Sequence, residues 1–212
     1  MRANFELGER KLEDALSALT RALNDFGAPW MLIGGIAIIA QGVRRLTTDI
    51  DAVIQGDQAN PETMLHALAA NEIEPRIDDA LAFAAENLVL LLRHGPTGVD
   101  LDLSFGWTSF EVEALQHRAS LAFGRVRAPM ATPEDLIVLK AMAGRPKDID
   151  DAAALLTLHP NIRLSRIRAR LDELSSLANA PEASQSLEEI VKKAGLSRAR
   201  RSRKTTRPQR KR

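Results

Sequence analysis

Apolar positions in the first third of the chain change from helical to strand-like spacing. Between residues 9 and 26, leucines recur every three or four positions, which predicts an amphipathic helix that buries one face. Residues 30–33 are wholly apolar and are bounded by proline and glycine, as in a short buried strand. A glycine pair follows and breaks this strand. We therefore expect a short helix over 36–41 and a second strand over 49–54.

Two further apolar segments predict a β-hairpin. Residues 87–94 contain five consecutive apolar positions, and residues 99–105 alternate between apolar and polar. The Gly-Pro-Thr-Gly sequence at 95–98 has turn chemistry, so the two segments should pair antiparallel. The other elements predicted in this part of the chain are a helix over 61–70, a helix over 110–116 and a strand over 124–128.

From Thr132 to about residue 194 the pattern is helical throughout. Thr132 supplies a hydroxyl cap, Pro133 takes the first helical position, and acidic residues fill the first turn. The helical pattern breaks at three proline-containing points and therefore divides into three or four helices. These points are 144–146, 159–160 and 180–181.

Together these patterns predict an α+β fold in which a small mixed β-sheet with flanking helices precedes a helical C-terminal half. We place the α/β core at 1–130, the helical region at 131–196 and a separate tail at 197–212. The length of 212 residues suits one core domain with a helical annex.

The composition of the chain excludes several kinds of site. The chain has no cysteine, which excludes disulfides and thiolate metal sites, and its four histidines are too scattered for a zinc site. No apolar run approaches the ~18 residues of a membrane span, and the charged N-terminus lacks a signal-peptide pattern, so we expect a cytoplasmic protein without membrane contact.

The last sixteen residues differ sharply from the rest. They carry nine lysines and arginines and no acid, while the whole chain has a net charge of only +1. Such a segment lacks apolar residues for packing and is predicted to be disordered. It could hold RNA through phosphate contacts; the alternatives are a solubility tail and an arm that docks a partner.

Four acids in two strands form the strongest candidate site. Asp49 and Asp51 are two residues apart, so their side chains leave the same face of the predicted strand, with Cα atoms about 6–7 Å apart. Unneutralised carboxylates so close are costly, and a divalent cation such as Mg²⁺ or Mn²⁺ would remove that cost. Asp100 and Asp102 repeat this spacing in the predicted hairpin, although they could simply form its solvated side.

A third carboxylate from a neighbouring strand would allow two metal ions about 3.5–4 Å apart, the arrangement that serves phosphoryl-type transfer. Gly34 and Gly35 would let the backbone approach phosphate oxygens closely.

The Gly-Gly pair at 34–35, with the run Arg-Leu-Thr-Thr-Asp-Ile-Asp at 45–51, resembles the DNA polymerase β-like nucleotidyltransferase superfamily. The C-terminal half resembles the AbiEii/MenT-type branch, which is known from toxin–antitoxin and abortive-infection systems. The matching stretches are Thr-Pro-Glu-Asp-Leu-Ile-Val-Leu-Lys at 132–140 and Arg-Pro-Lys-Asp-Ile-Asp-Asp at 145–151.

This resemblance implies transfer of a nucleoside monophosphate from a nucleoside triphosphate, ATP for example, onto an acceptor hydroxyl. It makes Asp49, Asp51 and Asp102 the metal ligands, with Asp100 as the alternative third acid. It also implies that Lys140 binds the triphosphate. Asp148 would complete the site, with Asp150 and Asp151 as its alternatives.

Arg45 and Thr47 lie on the approach to Asp49 and could contact phosphate. The branch also implies tRNA as a possible acceptor, held by the basic tail, and a cognate toxin or antitoxin as a partner. Two alternatives stay open: transfer to a protein or aminoglycoside-type acceptor, and a nucleotide-binding or partner-binding module without turnover.

Overall fold

The computed structural model describes residues 2–196 of the protein, with side chains from residue 7 onward. This part of the chain forms two compact units that meet in sequence at Leu136 and Ile137. The first unit contains the β-sheet, and the second is helical. The predicted basic tail at 197–212 lies outside the described residues.

The first unit is built on a mixed sheet of seven strands, which confirms the predicted mixed β-sheet. Its strands are β1 (Trp30–Ile33), β2 (Asp49–Gln55), β3 (Ile73–Pro75), β4 (Val89–His94), β5 (Val99–Gly106), β6 (Ala119–Phe123) and β7 (Val126–Met130). Their order across the sheet is β3-β4-β5-β2-β1-β7-β6. The pairs β2–β5 and β1–β7 are parallel, and the other neighbours are antiparallel. The predicted hairpin is confirmed as β4–β5.

The first unit also contains α-helices, and some of them begin with a side-chain cap. These are α1 (Arg2–Phe26), α2 (Gly34–Ala40), α3 (Pro61–Ala69), α4 (Ala80–Asn87) and α5 (Ser109–His117). Asn60 caps α3 by accepting hydrogen bonds from two backbone amides of its first turn. Thr108 and Glu111 form a reciprocal capping box at the start of α5.

The second unit begins within α6 (Pro133–Ala143), whose N-terminus is capped by Thr132 as predicted. It continues with α7 (Pro146–Leu158), α8 (Leu164–Leu177) and α9 (Ala183–Lys193). The breaks between these helices fall at the three predicted points. A buried core of Leu, Ile and Val positions on α7, α8 and α9 holds them together, and the ion pair of Arg168 with Glu188 joins α8 to α9 at 2.9 Å.

Alternation along β2 and β5 separates the core of the first unit from its polar face. Ile50, Leu101 and Leu103 are buried, whereas the acids between them are at least partly exposed. Each fully buried leucine or isoleucine contributes roughly 1.5–3 kcal/mol relative to an exposed one. The register of the sheet is therefore fixed, since a slip of one residue would bury the acids.

Several predicted boundaries were wrong. Gly34 and Gly35 do not precede α2; they are its first two residues. The strand predicted at 124–128 is β7 at Val126–Met130, and Gly124 lies in the turn that precedes it, after the unpredicted strand β6. β3 and α4 were also missed, because one is only three residues long and the other has little amphipathic pattern. None of the described helices is long and apolar enough to cross a membrane.

Candidate active site

The four candidate acids lie together on one face of the sheet. In the parallel pair β2–β5, Asp49 is aligned with Asp100, and Asp51 with Asp102. Directly aligned residues share a face, and neighbouring strands are about 4.8 Å apart, so the four Cα atoms outline a rectangle of about 5 by 7 Å. The convergence of acids from two separate strands is thus present. We call these four residues the acid cluster.

The acid cluster occupies the open end of this face. Val53, on the same face two residues beyond Asp51, is buried beside Gly106 and the α5 residue Glu111. The acids precede that covered region and remain accessible. Like charges directly opposite one another in a sheet are destabilising, so each carboxylate requires a partner.

Asp49 is oriented by Thr47. The Thr47 hydroxyl donates to Oδ1 of Asp49 at 2.8 Å. The same threonine side chain packs against Gly35, where a Cβ atom would lie only 2.2 Å from Thr47 Oγ1. The second glycine of the pair therefore makes room for the residue that orients the first acid.

Asp51 stands directly over the first glycine. Gly34 has a φ of +61°, in the left-handed region, and a Cβ there would lie 1.8 Å from Oδ2 of Asp51. Both the backbone conformation and the close approach therefore require glycine. Antiparallel pairing of β1 with β2, which aligns Ile33 with Asp51, brings the glycine pair to the acids.

We expect Gly34→Ala to reduce activity more than its backbone strain explains. Left-handed backbone costs a residue with a side chain about 1–2 kcal/mol, and the added methyl group must also displace the Asp51 carboxylate. Gly27→Ala is the matched control, since Gly27 has a φ of +86° with nothing within 4 Å of its Cβ position. Thermal unfolding should show a loss of stability in both variants, larger in Gly34→Ala because its new Cβ also lies 2.8 Å from Cβ of Asp51, while only Gly34→Ala should lose activity. Equal turnover in the two variants would contradict the coupling of Gly34 to Asp51.

Asp100 is paired with Arg93, its neighbour across the β4–β5 hairpin. Nε of Arg93 donates to Oδ1 of Asp100 at 2.7 Å. This hydrogen bond lowers the pKa of Asp100 below its ordinary value, against the smaller opposing effect of burial. Asp100 therefore has a counter-ion of its own.

Asp102 faces Arg76, which directly follows β3 and reaches across β4. Nη1 of Arg76 lies 2.8 Å from Oδ1 of Asp102, but it donates its hydrogen bond to the Leu92 carbonyl at 3.2 Å. Oδ1 of Asp102 is buried and accepts no hydrogen bond, although the side chain as a whole is 41% exposed. The contact is thus an ion pair by distance without hydrogen-bond geometry.

The acid cluster fits a divalent cation in ligand type and in backbone position. Carboxylate oxygens are the ligands that Mg²⁺ and Mn²⁺ prefer, and one of them is buried without a hydrogen bond. Yet no group of three carboxylate or imidazole side chains within the described residues is arranged to hold a metal ion. The carboxylates instead contact Thr47, Arg93 and Arg76.

A cavity of about 430 Å³ opens where β2 and β5 begin. Arg45 and Thr47 line it, as the sequence placed them on the approach to Asp49. Apolar walls come from residues such as Leu12, Ile39 and Phe123. This volume is within the range of small-molecule sites, about 300–1,000 Å³.

Lys140 and Asp148 lie in the second unit, in a buried ion cluster. Nζ of Lys140 is 2.6 Å from Oδ1 of Asp148 and 3.5 Å from Oδ2 of Asp151. Arg145 donates from Nε to Oδ2 of Asp148 at 2.5 Å. Asp148 is fully buried and Lys140 is 8% exposed. The ammonium on this apolar helix therefore meets carboxylates of its own unit. Asp150, by contrast, is exposed and paired with Lys193.

Burial raises the pKa of Asp148, but the hydrogen bonds and charges of Arg145 and Lys140 outweigh it, so the net shift is downward. A lowered folded-state pKa stabilises the protein above the unfolded pKa of about 3.9. That contribution is lost as the pH falls through the folded value. The cluster is therefore an acid-sensitive element of the second unit.

Neither arginine that contacts the acid cluster was predicted from the sequence. The register of a hairpin with turn 95–98 would have aligned Arg93 with Asp100 and so identified that pair. No comparable signal exists for Arg76, because its approach to Asp102 depends on a three-residue strand and on a distance of 26 residues along the chain.

Comparison with solved structures supports the fold. The solution structure of the antibiotic-resistance factor ANT(2'')-Ia superposes with a TM-score of 0.55 at 17% identity, over 84% of this chain and 96% of that one. The crystal structure of an antigenic nucleotidyltransferase-like protein from Paracoccidioides brasiliensis gives a TM-score of 0.52 at 18% identity, over 85% and 93% of the two chains. At such identities the likeness concerns the fold alone.

No curated protein shows significant sequence similarity to the chain. A protein family does match, over residues 10–194, and it is described as nucleotidyltransferase of unknown function (DUF6036). The match spans the glycine pair, the acid cluster and helices α6 to α9. The chain belongs to this nucleotidyltransferase family.

Proposed function

We propose that the protein transfers a nucleoside monophosphate from a nucleoside triphosphate to an acceptor hydroxyl, with Mg²⁺ or Mn²⁺ held by Asp49, Asp51 and Asp102. The observation that carries the proposal is the alignment of Asp51 with Asp102 in neighbouring strands, directly over the Gly34 backbone. Family membership supports the reaction type. Asp102 is preferred to Asp100 as the third ligand because Arg93 already donates a hydrogen bond to Asp100.

Each residue of the site has a separate task in this reaction. Asp49 and Asp51 hold the cation, and Thr47 fixes the carboxylate of Asp49. Gly34 makes room for Asp51 and Gly35 for Thr47, and the family resemblance assigns the amides of this glycine pair to the phosphate oxygens. Asp102 completes the ligand set, and its exposed Oδ2 can accept the proton of the acceptor hydroxyl. Arg45, beside Thr47 in the cavity, is the candidate contact for a phosphate.

The bound cation would supply neutralisation of the triphosphate and alignment of the attacking and leaving oxygens. The chain orients the acceptor oxygen for in-line attack on the α-phosphorus. The bond to the bridging oxygen breaks, and pyrophosphate leaves. The family resemblance assigns Lys140 to triphosphate binding, with Asp148 or Asp151 completing the site.

The AbiEii/MenT-type resemblance favours an RNA acceptor, tRNA in particular, and a cognate toxin or antitoxin partner. The nine basic residues of 197–212 are the candidate RNA contact, through phosphate neutralisation that weakens with salt. A small-molecule acceptor is the second candidate. The cavity at Thr47 and the fold shared with an antibiotic-resistance factor favour it.

Incubation with α-³²P-labelled nucleoside triphosphates and Mg²⁺, in the presence of total RNA, cell protein or aminoglycosides, tests the proposal. We expect label to enter one acceptor class, RNA by preference, and only when the metal is present. The chain that ends at residue 196 should bind metal and nucleotide as the whole chain does but lose RNA labelling at physiological salt. Absence of label in every class, with nucleotide still bound, would instead favour a binding module without turnover.

A further inference from the structure

The acid cluster is neutralised differently at each carboxylate, and the difference singles out one side chain. Asp49 receives a hydroxyl hydrogen bond, and Asp100 receives a charged hydrogen bond from Arg93. Asp102 forms an ion pair with the guanidinium of Arg76 at 2.8 Å, without a hydrogen bond to Oδ1. Arg76 thus lies where it neutralises the charge of Asp102, while its Nη1 donates a hydrogen bond to the Leu92 carbonyl.

Arg76 is anchored by two hydrogen bonds that do not involve Asp102. Its backbone N–H donates to the Leu91 carbonyl at 3.0 Å, and its Nη1 donates to the Leu92 carbonyl at 3.2 Å. The side chain is only 22% exposed. Even if the guanidinium turned away from Asp102, the backbone bond of Arg76 would be kept, so the ion pair can open without unfolding the edge of the sheet.

We propose that Arg76 is the internal counter-ion of Asp102 in the metal-free protein and is displaced from Oδ1 when a divalent cation binds. The proposal rests on the function proposed above, because it takes Asp102 as a metal ligand. The four acids are aligned in the sheet, yet their side chains form no metal-binding group among the described residues. The contact of Arg76 with Asp102 explains this difference. Arg76 is a positioning residue in this scheme.

The guanidinium of Arg76 and a divalent cation therefore compete for Oδ1 of Asp102. A cation at Oδ1 must first displace the guanidinium, so only the fraction of molecules with an open ion pair can bind metal with the full ligand set. If that fraction is about one tenth, the apparent dissociation constant rises about tenfold over its intrinsic value. The counter-ion also removes part of the like-charge repulsion between Asp51 and Asp102 while metal is absent.

The test is a Mn²⁺ titration of the whole protein without nucleotide, with free Mn²⁺ measured by electron paramagnetic resonance. Arg76→Met should bind Mn²⁺ about tenfold more tightly than wild type. Arg93→Met removes the same charge from the same face and should change the affinity less than twofold. The added affinity should be absent in Arg76→Met combined with Asp102→Asn, because the competition requires both partners.

A second measurement keeps the proposal testable if Arg76→Met folds poorly. In wild-type protein labelled with ¹⁵N-arginine, Mg²⁺ should shift the side-chain resonance of Arg76 and leave that of Arg93 in place. An unchanged Mn²⁺ affinity in a folded Arg76→Met, or an unshifted Arg76 resonance under saturating Mg²⁺, overturns the role of Arg76 alone. If neither wild type nor Arg76→Met binds Mn²⁺, the proposed metal site fails with it.

Discussion

Asp51→Asn should abolish nucleotidyl transfer, with a loss of about three orders of magnitude in kcat/KM. The amide keeps the size of the side chain over Gly34 but removes the charge that a divalent cation requires. A thousandfold loss corresponds to about 4 kcal/mol of transition-state stabilisation, within the range expected for a lost electrostatic contact at a reacting phosphate. Initial rates with the acceptor found by labelling, at saturating Mg²⁺, give the measurement.

Three further variants make the first result specific. Asp57→Asn changes an exposed carboxylate just beyond the other end of β2 and should leave the rate unchanged. Asp102→Asn should lose activity as Asp51→Asn does, whereas Asp100→Asn should lose much less, since its charge is already matched by Arg93. Wild-type rates in Asp51→Asn or Asp102→Asn would refute the assignment of the metal ligands.

Lys140→Met should destabilise the protein by about 3 kcal/mol. Removing one partner of a buried ion pair typically costs about 3–5 kcal/mol, because the remaining charge stays buried without full compensation. We expect a loss at the lower end of this range, because Arg145 still donates a hydrogen bond to Asp148. Urea unfolding at pH 7 measures the loss, and acid unfolding should begin at a higher pH because the lowered pKa of Asp148 depends partly on Lys140.

Lys147→Met is the matched control, because Lys147 is exposed one residue before Asp148 and should change stability by less than about 0.5 kcal/mol. Combining Lys140→Met with Asp148→Leu should recover part of the lost stability, because the buried charge of Asp148 is removed while Asp151 stays buried. That folded double variant then tests the triphosphate role of Lys140. Unchanged affinity for the nucleotide would leave the cluster a purely structural element.

Much of the fold was readable from the sequence because its signals are local. The cap at Thr132 and the proline breaks of the helical half each depend on a few neighbouring residues. Strand β1 was predicted with its observed bounds, and β2 to within a residue, since a short apolar run between breakers has few alternatives. Strand β3 was missed because three residues give no usable period.

The candidate site, too, was predicted from the sequence only in part. Spacing alone put Asp49 with Asp51, and Asp100 with Asp102, on common faces, since side chains in a strand alternate strictly. Only the sheet decided that β5 lies parallel beside β2, so that the two pairs are aligned. That neighbour relation depends on contacts about fifty residues apart.

By itself, then, the sequence determined most of the elements, the four acids and the glycine pair, because periodicity and backbone stereochemistry act over a few residues. Tertiary structure decided what surrounds each carboxylate: Thr47 for Asp49, Gly34 for Asp51 and Arg76 for Asp102. It also gave Lys140 its carboxylate partners. Electrostatic partners are chosen by distance in space, and only the packed chain sets that distance.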